Sequence, residues 1–582
     1  MLIEGLALFG FFVTGTNGHP SWVENSSKGE YVNLDKSGTA AWQMPSYGRF
    51  FDARRDPRPI FNFKMDEEQV GARQQDIFER SNYFDAFQIS GPLSNYGSPV
   101  AIQTVFSNVA FDSQSNGHME YTASYVPPDV NFDRIEVGWN VSGVGSQYDR
   151  LAHLYIGGCE IWRPSTAEPY SQVEFNYTKD VSEYLALFMQ KQVIQFQLDN
   201  YIVGTTTGIY YVTLTMSFYD SGSPNTDGPF PQGFSSATNI VPLLPSGVSQ
   251  QDSYGYMYSL PGNNTSANIG PLPRNTTRAV LDIGASGNGG EEFWYTGVIT
   301  EYQNEVPGSF GAGPSRVIEV YVNNHLAGWV FPFPIIFTGG LHPEFWSPMV
   351  GIKAFDVPRY QIDITPFLPT LWGSNTLIEL KVVNGYSNEV INQNWWIDAN
   401  LMTWETSGVQ AQGTILTLSS DNGDPIAYGD PDGISYYQQV QMGRTIQNIA
   451  SLEFGDSNYT VQWFQSGSYI NNQMHQSNQS QIDQHTSGAD SFSFLKSGQN
   501  STYYQFSYNY PLTIIQNQSN IDYGVFRSYD VNFNGNSINA IQNATLVGNT
   551  TDTAEDYSQS LNGEFYNRYV LVSDGTVVTD VG

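Results

Sequence analysis

The pair Asp149–Arg150 stands where a β-strand is predicted to begin, and it could carry acid–base chemistry. Asp149 precedes the strand-like run Arg150–Ile156, in which it would share one face with His153. At the start of a strand its carboxylate would reach the rim of a cleft. A carboxylate beside a guanidinium stays ionised and oriented. From the residues alone, a structural Asp–Arg pair at a strand end is the favoured interpretation.

A second candidate is the acidic and aromatic segment at residues 288–295. Glu291 and Glu292 follow a glycine-rich turn and precede Phe293, Trp294 and Tyr295. On a strand, only one of the two glutamates can face a given side. Aromatic rings beside carboxylates suit sugar binding, because pyranose C–H faces pack on rings and sugar hydroxyls need acceptors. An acidic hairpin tip before a core strand explains the same residues equally well.

A third candidate is the charged pair Glu160 and Arg163, which follows the predicted hairpin turn Gly157-Gly158. These two side chains could orient a substrate. An ordinary hairpin with surface charges is an equally good interpretation.

Metal and thiol chemistry find little support in the sequence. Cys159 is the single cysteine, which excludes an internal disulfide and cysteine-rich zinc sites. The seven histidines are scattered without an HExxH motif. The acidic segment Asp421–Gly433 lacks the spacing and closing glutamate of an EF-hand, so turns are predicted there. We therefore expect neither a metal nor a cofactor.

The chain is strongly acidic. It has 582 residues, with 24 Lys and Arg against 56 Asp and Glu, and a formal net charge of −32. Nothing in this balance neutralises phosphates, which argues against a nucleic-acid partner. Acidic or extracellular surroundings fit better, because net charge maintains solubility. Aromatic residues make up 14% of the chain, which argues against intrinsic disorder.

Two features predict a secreted or vacuolar protein that is itself N-glycosylated. Leu6–Val13 is a short apolar run that resembles a signal-peptide core. The motif N-x-S/T recurs along the chain, as at Asn140, Asn275 and Asn458. No run reaches the roughly 18 apolar residues that a membrane-spanning helix needs, so no stable membrane span is predicted. The oligomeric state is left open.

The pattern of short runs rich in Val, Ile, Tyr, Phe and Thr, separated by Gly, Pro and Asn, predicts an all-β fold. An ordered repeat predicts two tandem β-sandwiches, since the strand and turn at Leu154–Gly158 recur at Val320–Asn324. The composition shifts toward Gln, Asn and Ser after Glu405, which predicts a further β-rich domain. The predicted segments are a signal-like segment 1–18, an N-terminal extension 19–90, a first sandwich 91–220, a linker 221–238, a second sandwich 239–405 and a C-terminal domain 406–582.

Several ordered blocks within roughly Asn108–Glu405 resemble the peptide:N-glycanase A family, the acidic glycoamidases of plants and fungi. Any one block is weak, but their ordered series is specific. The blocks include Tyr148-Asp149-Arg150-x-Ala152 with Gly157-Gly158-x-Glu160, Arg163-x-Ser165-Thr166-Ala167-Glu168-Pro169, Glu292-Phe293-Trp294-Tyr295, and Pro332-Phe333-Pro334-Ile335-Ile336-Phe337-Thr338-Gly339-Gly340.

A fainter similarity reaches the bacterial peptide:N-glycanase F type, which is built of two jelly rolls with the site between them. Its aromatic-Asp-Arg strand, which carries the key catalytic aspartate, resembles Tyr148-Asp149-Arg150. A glutamate before an aromatic residue in its second jelly roll resembles Glu292. A third acidic residue of that type corresponds to Asp199, followed by Tyr201.

The family resemblance implies hydrolysis of the amide between an Asn side chain and the first GlcNAc of an N-glycan. It implies that Asp149 polarises the attacking water or the substrate amide, and that Arg150 orients Asp149 or contacts the carbonyl oxygen. Glu292 would orient a second water or supply a proton. The implied substrate-binding residues are Glu160, Arg163, Trp294, Glu291 and Asp199.

Two other functions remain open from the sequence. A glycoside hydrolase would use two carboxylates on the sugar side of the same linkage. A non-catalytic carbohydrate-binding protein is the other alternative, because jelly rolls also serve as lectins.

Overall fold

The computed structural model describes most of the chain from residue 83 onward and three short strands before it. Contacts divide the chain into residues 1–57 and residues 58–582. The predicted signal-like segment 1–18 lies outside the described residues, as do most of the predicted extension 19–90 and linker 221–238. The described residues are 22–25, 30–34, 40–42, 83–89, 96–114, 117–169, 171–222, 236–245, 247–248, 255–262, 265–433, 435–477, 479–496, 498–517, 522–546, 552–561, 564–573 and 576–581.

The first unit holds one small antiparallel sheet. Its strands pair in the order β1-β2-β3. They are β1 (Trp22–Asn25), β2 (Glu30–Leu34) and β3 (Ala40–Trp42).

Residues 83–219 form a sandwich of two sheets. Its strands are β4 (Tyr83–Asp85), β5 (Ala101–Phe111), β6 (Glu120–Tyr125), β7 (Arg134–Val144), β8 (Ala152–Ile156), β9 (Cys159–Trp162), β10 (Gln172–Asp180), β11 (Gln192–Leu198) and β12 (Ile209–Tyr219). One sheet has the order β4-β10-β7-β12-β5 and the other β6-β11-β8-β9. Trp139 of the first sheet meets Trp162 and Phe196 of the second, with ring centroids 5.4 and 6.2 Å apart. Aromatic packing therefore fills the space between the sheets.

Residues 239–405 form a second sandwich on the same plan. Its strands are β13 (Asn239–Pro242), β14 (Tyr258–Leu260), β15 (Ser266–Ile269), β16 (Thr276–Gly287), β17 (Val317–Val322), β18 (His325–Val330), β19 (Arg359–Asp363), β20 (Thr376–Val383) and β21 (Trp395–Glu405). One sheet has the order β13-β21-β16-β19, with β14 also paired to β21, and the other β15-β20-β17-β18. Every residue of β16 except its last is buried, which fits a strand covered on both faces.

The repeat predicted from the sequence is present in both sandwiches. The turn between β8 and β9 places Gly157 and Gly158 at φ of 59° and 82°, and the turn between β17 and β18 places Asn323 and Asn324 at 47° and 67°. Glycine and asparagine tolerate this left-handed backbone best, which is why these turns carry them. Each sandwich also has a 3-10 turn followed by one helical turn: Ser182–Tyr184 with α1 (Leu185–Phe188), and Thr365–Phe367 with α2 (Leu368–Leu371).

Residues 411–581 form a single sheet of eleven strands. The strands are β22 (Ala411–Asp421), β23 (Ile426–Pro431), β24 (Ser435–Phe454), β25 (Ser457–Gln476), β26 (Gln479–Lys496), β27 (Gln499–Asn517), β28 (Asp522–Phe533), β29 (Asn536–Leu546), β30 (Thr553–Leu561), β31 (Glu564–Ser573) and β32 (Thr576–Val581). Several strands are far longer than the short runs predicted from the sequence. Burial along β24 alternates at every second residue, so one face is covered.

Polar side chains on the covered face of this sheet satisfy backbone groups of the second sandwich. Gln465 accepts from the backbone N–H of Trp329 at 2.9 Å, and Asn448 donates to the carbonyl oxygen of Ala327 at 3.1 Å. Gln542 accepts from the N–H of Ile352 at 2.9 Å. The Gln and Asn enrichment of the C-terminal region therefore supplies buried hydrogen bonds at this contact.

The all-β class predicted from the sequence is confirmed. The domain boundaries stay predictions, although the sheets fall within residues 83–219, 239–405 and 411–581.

Candidate active site

Asp149 and Arg150 lie in an irregular segment just before β8. The backbone N–H of Arg150 donates to Oγ1 of Thr166 at 2.8 Å, and the N–H of Thr166 donates to the carbonyl oxygen of Arg150 at 2.8 Å. Leu151 forms an isolated bridge with Ser165. The strand begins at Ala152, two residues later than predicted, so a neighbouring loop holds the pair in place.

The guanidinium of Arg150 faces the loop that follows β11. Its Nη2 donates to Oε1 of Gln147 at 2.8 Å and to the carbonyl oxygen of Tyr201 at 3.5 Å. The Nε2 of Gln147 also donates to that carbonyl, at 3.1 Å. The group lies 5.9 Å from the ring centroid of Tyr148, and its Nε is buried without a partner. Arg150 therefore connects the Asp149 segment to the segment that carries Asp199 and Tyr201.

The carboxylate of Asp149 is half-buried near the hydroxyl of Tyr210. That hydroxyl lies 3.0 Å from the carbonyl oxygens of both Tyr148 and Ala167, which share its single proton. Burial raises the pKa of Tyr210 most, and the negative charges of Asp149 and Glu168 raise it further. Tyr210 therefore stays a neutral hydrogen-bond donor that fixes the backbone beside Asp149.

Glu160 and Arg163 lie inside the protein, where the two sandwiches meet. Each is about 1% exposed. Nη2 of Arg163 donates to Oε2 of Glu160 at 2.8 Å and to Oδ2 of Asp398 at 2.7 Å. Arg359 donates to Glu160 and Asp398, each at 2.8 Å, and also to Asp282 at 2.8 Å. These five residues, Glu160, Arg163, Asp282, Arg359 and Asp398, form what we call the inter-sandwich cluster.

The inter-sandwich cluster contains three carboxyl groups and two guanidinium groups. Burial raises the pKa of Asp398 well above its usual range, and the nearby Glu160 charge raises it further. The pKa of Glu160 is held well below its usual range, because Arg163, Asp398 and His153 stabilise its anion against the opposing effect of burial. Asp398 therefore holds a proton more tightly than Glu160 does.

The cluster continues to the segment that carries Glu291 and Glu292. Nη1 of Arg163 donates to Oγ of Ser286 at 3.0 Å and to the carbonyl oxygen of Trp396 at 2.9 Å. Asn288 donates from Nδ2 to the carbonyl oxygen of Ser286 at 3.0 Å. The structure thus connects the sequence-predicted pair Glu160 and Arg163 to the start of the acidic segment.

The acidic segment is not a strand, and this corrects the sequence-based expectation. Residues Gly289–Glu291 and Trp294–Thr296 are 3-10 turns. Gly289 begins the first turn with φ of 59°, and the carbonyl oxygen of Gln393 lies 2.9 Å from where a Cβ on Gly290 would stand. The tight turn therefore requires the two glycines, and it lets adjacent glutamates enter different surroundings.

Glu291 is fully buried and Glu292 is half-buried. The carboxylate of Glu291 pairs with Arg316, with Oε1 at 2.6 Å from Nη2 and Oε2 bonded to Nε. It also accepts from the indole Nε1 of Trp395 at 2.6 Å and from the N–H of Asn392 at 2.9 Å. Its role in substrate binding stays a prediction, while the geometry gives it four hydrogen bonds from three residues of the protein.

The indole of Trp294 is 5% exposed and packs in the core of the second sandwich. Its ring centroid lies 5.5 Å from that of Tyr295 and 6.4 Å from that of Trp395. Phe293, one residue earlier, is half-buried and so more accessible. The platform role of Trp294 stays a prediction, as do the substrate-binding roles of Glu160 and Arg163.

Asp199 and His153 lie next to each other on the first-sandwich side. Asp199 accepts from Nε2 of Gln197 at 3.0 and 3.2 Å, and its charge acts on His153. Nδ1 of His153 lies 2.6 Å from Oε1 of Glu160, and its Nε2 is buried without a partner. Burial lowers the pKa of His153, against the opposing effect of the hydrogen bond and charge of Glu160.

Three residues of the inter-sandwich cluster, Asp282, Arg359 and Asp398, are not among those predicted from the sequence. The sequence feature that could have indicated Asp282 and Asp398 is a charged residue inside an apolar strand, as in the runs Ala279–Ile283 and Ile397–Trp404. Such a residue is seldom buried without a partner.

The geometry disfavours metal and thiol chemistry among the described residues. In the part of the chain that the structure describes, no three His, Cys, Asp or Glu side chains converge as a metal site. Cys159 is buried, and burial raises the pKa of its thiol, which disfavours a nucleophilic thiolate. Among the described residues, no helix is long and apolar enough to cross a membrane.

Comparison with known proteins identifies the relationship of the chain. Residues 94–421 match the family model described as peptide N-acetyl-beta-D-glucosaminyl asparaginase amidase A. The chain belongs to this family. The amidase A match spans both sandwiches and ends in β22, so the resemblance seen in the sequence is confirmed over a wider range.

One curated relative in the amidase A family is peptide-N4-(N-acetyl-beta-glucosaminyl)asparagine amidase A of Prunus dulcis. It is 30% identical over 357 residues, which cover 59% of this chain and 61% of the relative. The aligned part thus spans about three fifths of the relative's length.

Among solved structures, the chain is similar to PNGase F of Flavobacterium meningosepticum, with a TM-score of 0.36 and 16% identity over 53% of this chain and 96% of that one. It is also similar to PNGF-II, with a TM-score of 0.35 and 13% identity over 52% of this chain and 66% of that one.

Proposed function

We propose that this protein is a glycoamidase that hydrolyses the amide between an asparagine side chain and the first GlcNAc of an N-glycan on glycopeptides or glycoproteins. The observation that carries the proposal is the amidase A family match over residues 94–421, which includes every candidate site residue. The name of the Prunus dulcis relative describes the same reaction.

The proposed reaction needs three things from the protein. A water molecule must attack the side-chain carbonyl carbon, the developing oxyanion must be stabilised, and the leaving nitrogen must be protonated. The carbon–nitrogen bond then breaks. The products are a peptide with aspartate in place of asparagine and a glycosylamine that decays to the free glycan.

In this mechanism Asp149 polarises the attacking water or the substrate amide. Its half-buried position and the hydrogen bonds that anchor Arg150 and Thr166 support the assignment, because a fixed carboxylate loses little orientation on binding substrate. Arg150 holds the neighbouring Tyr201 carbonyl and orients the segment. Both residues come from the first sandwich.

Glu292 supplies or relays the proton to the leaving nitrogen. Of the two adjacent glutamates, Glu291 is occupied by Arg316 and Trp395, whereas Glu292 is partly accessible. An accessible carboxyl can exchange a proton with a reacting group, while a fully paired buried carboxylate cannot do so readily. Asp199, beside His153, is the candidate third acidic group and would contact the glycan.

The inter-sandwich cluster holds the two halves of this site in register. Glu160 and Arg163 come from the first sandwich, while Asp282, Arg359 and Asp398 come from the second. We assign this positioning role to Glu160 and Arg163. They would affect the binding of the chitobiose core only by keeping the two sandwiches in position.

We further propose that the protein works in a secreted or vacuolar compartment of acidic pH and carries N-glycans itself. The signal-like run at Leu6–Val13, the recurring N-x-S/T motifs and the net charge of −32 support this location.

The decisive experiment is incubation of a defined N-glycopeptide with the purified full chain in ¹⁸O-labelled water at mildly acidic pH, followed by mass spectrometry. Peptide with aspartate that carries one heavy oxygen is the expected product. Peptide that retains Asn or Asn-GlcNAc would instead indicate a glycoside hydrolase, and unchanged glycopeptide across acidic pH would favour a binding protein.

A further inference from the structure

A cavity of about 240 Å³ lies between the second sandwich and the C-terminal sheet. Residues of β18 and β19 line one side, and residues of β26, β27 and β28 line the other. Apolar cavities of about 150 Å³ hold a benzene molecule, so this cavity has room for a larger single ring. Phe533, at the end of β28, also lines it and is 45% exposed, so its side chain lies at the surface.

Stacked aromatic rings form the wall on the C-terminal sheet. The ring centroids of Tyr508 and Tyr510 are 5.0 Å apart, and those of Tyr510 and Tyr529 are 5.3 Å apart with planes 9° from parallel. Trp329 lines the opposite side from β18. A flat ligand could therefore lie between aromatic surfaces carried by two different sheets.

Two carboxyl groups, those of Asp490 and Glu183, also line the cavity. Asp490 is 8% exposed, and its Oδ1 accepts from Nε2 of Gln465 at 3.0 Å. Among the described residues, no group donates to its Oδ2. Glu183 accepts from Nε2 of Gln361 at 3.0 Å, and both of these residues line the cavity. Burial raises the pKa of Asp490 and that of Glu183 to about 7.

The charges at the cavity favour a neutral ligand. Asp490, Glu183 and Asp282 contribute carboxyl groups, and Arg359 is the guanidinium that lines it. Arg359 is already paired with Glu160, Asp282 and Asp398. An anionic ligand would thus find no unpaired cation among the described residues that line the cavity, whereas a polyhydroxylated neutral ring would find acceptors and aromatic faces.

We propose that this cavity is a carbohydrate-binding site for one neutral pyranose ring, separate from the candidate active site. Aromatic faces pack against the C–H face of the ring, and Asp490 and Glu183 take the hydroxyl groups. Asp282 and Arg359 line the cavity and also belong to the inter-sandwich cluster, so the proposed site adjoins that cluster. The site gives the C-terminal sheet a recognition role in addition to supporting the second sandwich.

Saturation-transfer-difference NMR on the full chain tests the proposal. The probes are the α-methyl glycosides of mannose, galactose and N-acetylglucosamine, with the α-methyl glycoside of glucuronic acid as the anionic comparison. The variants are Phe533→Ala and Asp490→Asn, and the matched control is Phe526→Ala, an aromatic residue on the opposite face of the same strand that is 37% exposed. Circular dichroism checks that each variant is folded.

We expect at least one neutral glycoside to bind and the glucuronide to bind more weakly. Phe533→Ala and Asp490→Asn should each raise Kd by about threefold to tenfold, while Phe526→Ala leaves it unchanged. The absence of transfer to every neutral glycoside would overturn the proposal, as would binding that both cavity variants leave intact.

Glycopeptide turnover, measured on the same samples, separates this inference from the proposed function. Cavity-dependent sugar binding without turnover would leave the carbohydrate site standing and remove the glycoamidase. Turnover without cavity-dependent sugar binding would support the glycoamidase and overturn the carbohydrate site.

Discussion

The carboxylate of Glu160 in the first sandwich accepts a 2.8 Å hydrogen bond from the guanidinium of Arg359 in the second. Asp149 and Glu292, the two proposed catalytic carboxyl groups, come from different sandwiches. Their relative position therefore depends on the contact that this ion pair secures. A site divided between two domains needs such a fixed junction if reacting groups are to stay in register.

Replacing Arg359 should destabilise the protein strongly. Arg359→Gln removes the cation shared by Glu160, Asp282 and Asp398, and an uncompensated buried charge costs about 3–5 kcal/mol. The free energy of unfolding in urea would measure this loss. Arg568→Gln is the control, because Arg568 pairs with Asp580 at 2.7 Å with both side chains about one third exposed, and its effect should stay within about 1 kcal/mol. Equal losses in the two variants would contradict the assigned role.

Asp149→Asn should lower glycopeptide turnover by at least about 10²-fold without unfolding the protein, since general acid–base groups contribute about 10²–10⁴-fold. Asp133→Asn provides a matched control from the other Asp-Arg sequence in the first sandwich. The Asp133 carboxylate accepts from the N–H and hydroxyl of Ser221, at 2.7 and 2.6 Å, on the surface. Its replacement should leave kcat unchanged. Near-normal turnover of Asp149→Asn would remove Asp149 from the mechanism.

The adjacent glutamates should respond to amide substitution in opposite ways. Glu292→Gln is expected to reduce kcat by about 10²–10⁴-fold at an unchanged melting temperature. Glu291→Gln leaves the buried guanidinium of Arg316 without its counter-charge, so it should cost about 3–5 kcal/mol of unfolding free energy. Thermal unfolding and steady-state kinetics on both variants distinguish the roles. A stable but inactive Glu291→Gln protein would exchange the two assignments.

The buried carboxyl groups should make stability fall as the pH rises from about 6.5 to about 8, above the range in which the lowered pKa values of the buried histidines His153, His475 and His485 act in the opposite direction. Burial raises the pKa of Glu555 to about 8 and the pKa values of Asp490 and Glu183 to about 7. Each folded carboxyl group then holds a proton that the unfolded chain has lost. Its contribution is complete below the unfolded pKa and is lost as the pH passes the folded pKa. The expected slope is about 1.4 kcal/mol per pH unit for each such group in that window.

Urea unfolding at several pH values would measure this dependence. Glu555 is the sharpest probe, because its Oε1 accepts from the N–H of Trp346 at 2.6 Å while its Oε2 is buried without a partner. Glu555→Gln should reduce the fall in stability between about pH 6.5 and about 8, because an amide does not titrate. A profile that Glu555→Gln leaves unchanged in this range would show that Glu555 is charged in the folded protein.

Local sequence rules predicted the repeated architecture well. The alternating runs of β-branched and aromatic residues gave the strands of both sandwiches, and Gly157-Gly158 and Asn323-Asn324 marked the equivalent hairpins. The same rules failed at Glu291–Tyr295, where a strand was expected and 3-10 turns are present. There the chain is shaped by the approach of Gln393 and by the pairing of Glu291 with Arg316, neither of which is local.

By itself, the sequence determined the all-β class, the tandem repeat and the candidate carboxyl groups, because strand period and turn chemistry act over a few neighbouring residues. Only the tertiary structure decided which carboxyl groups are buried and paired inside the protein. Glu291 and Glu292 are adjacent in sequence, yet one is fully buried and the other partly accessible. Glu160 meets Arg359 from 199 residues away. Burial and charge pairing arise from such distant contacts, and no local pattern encodes them.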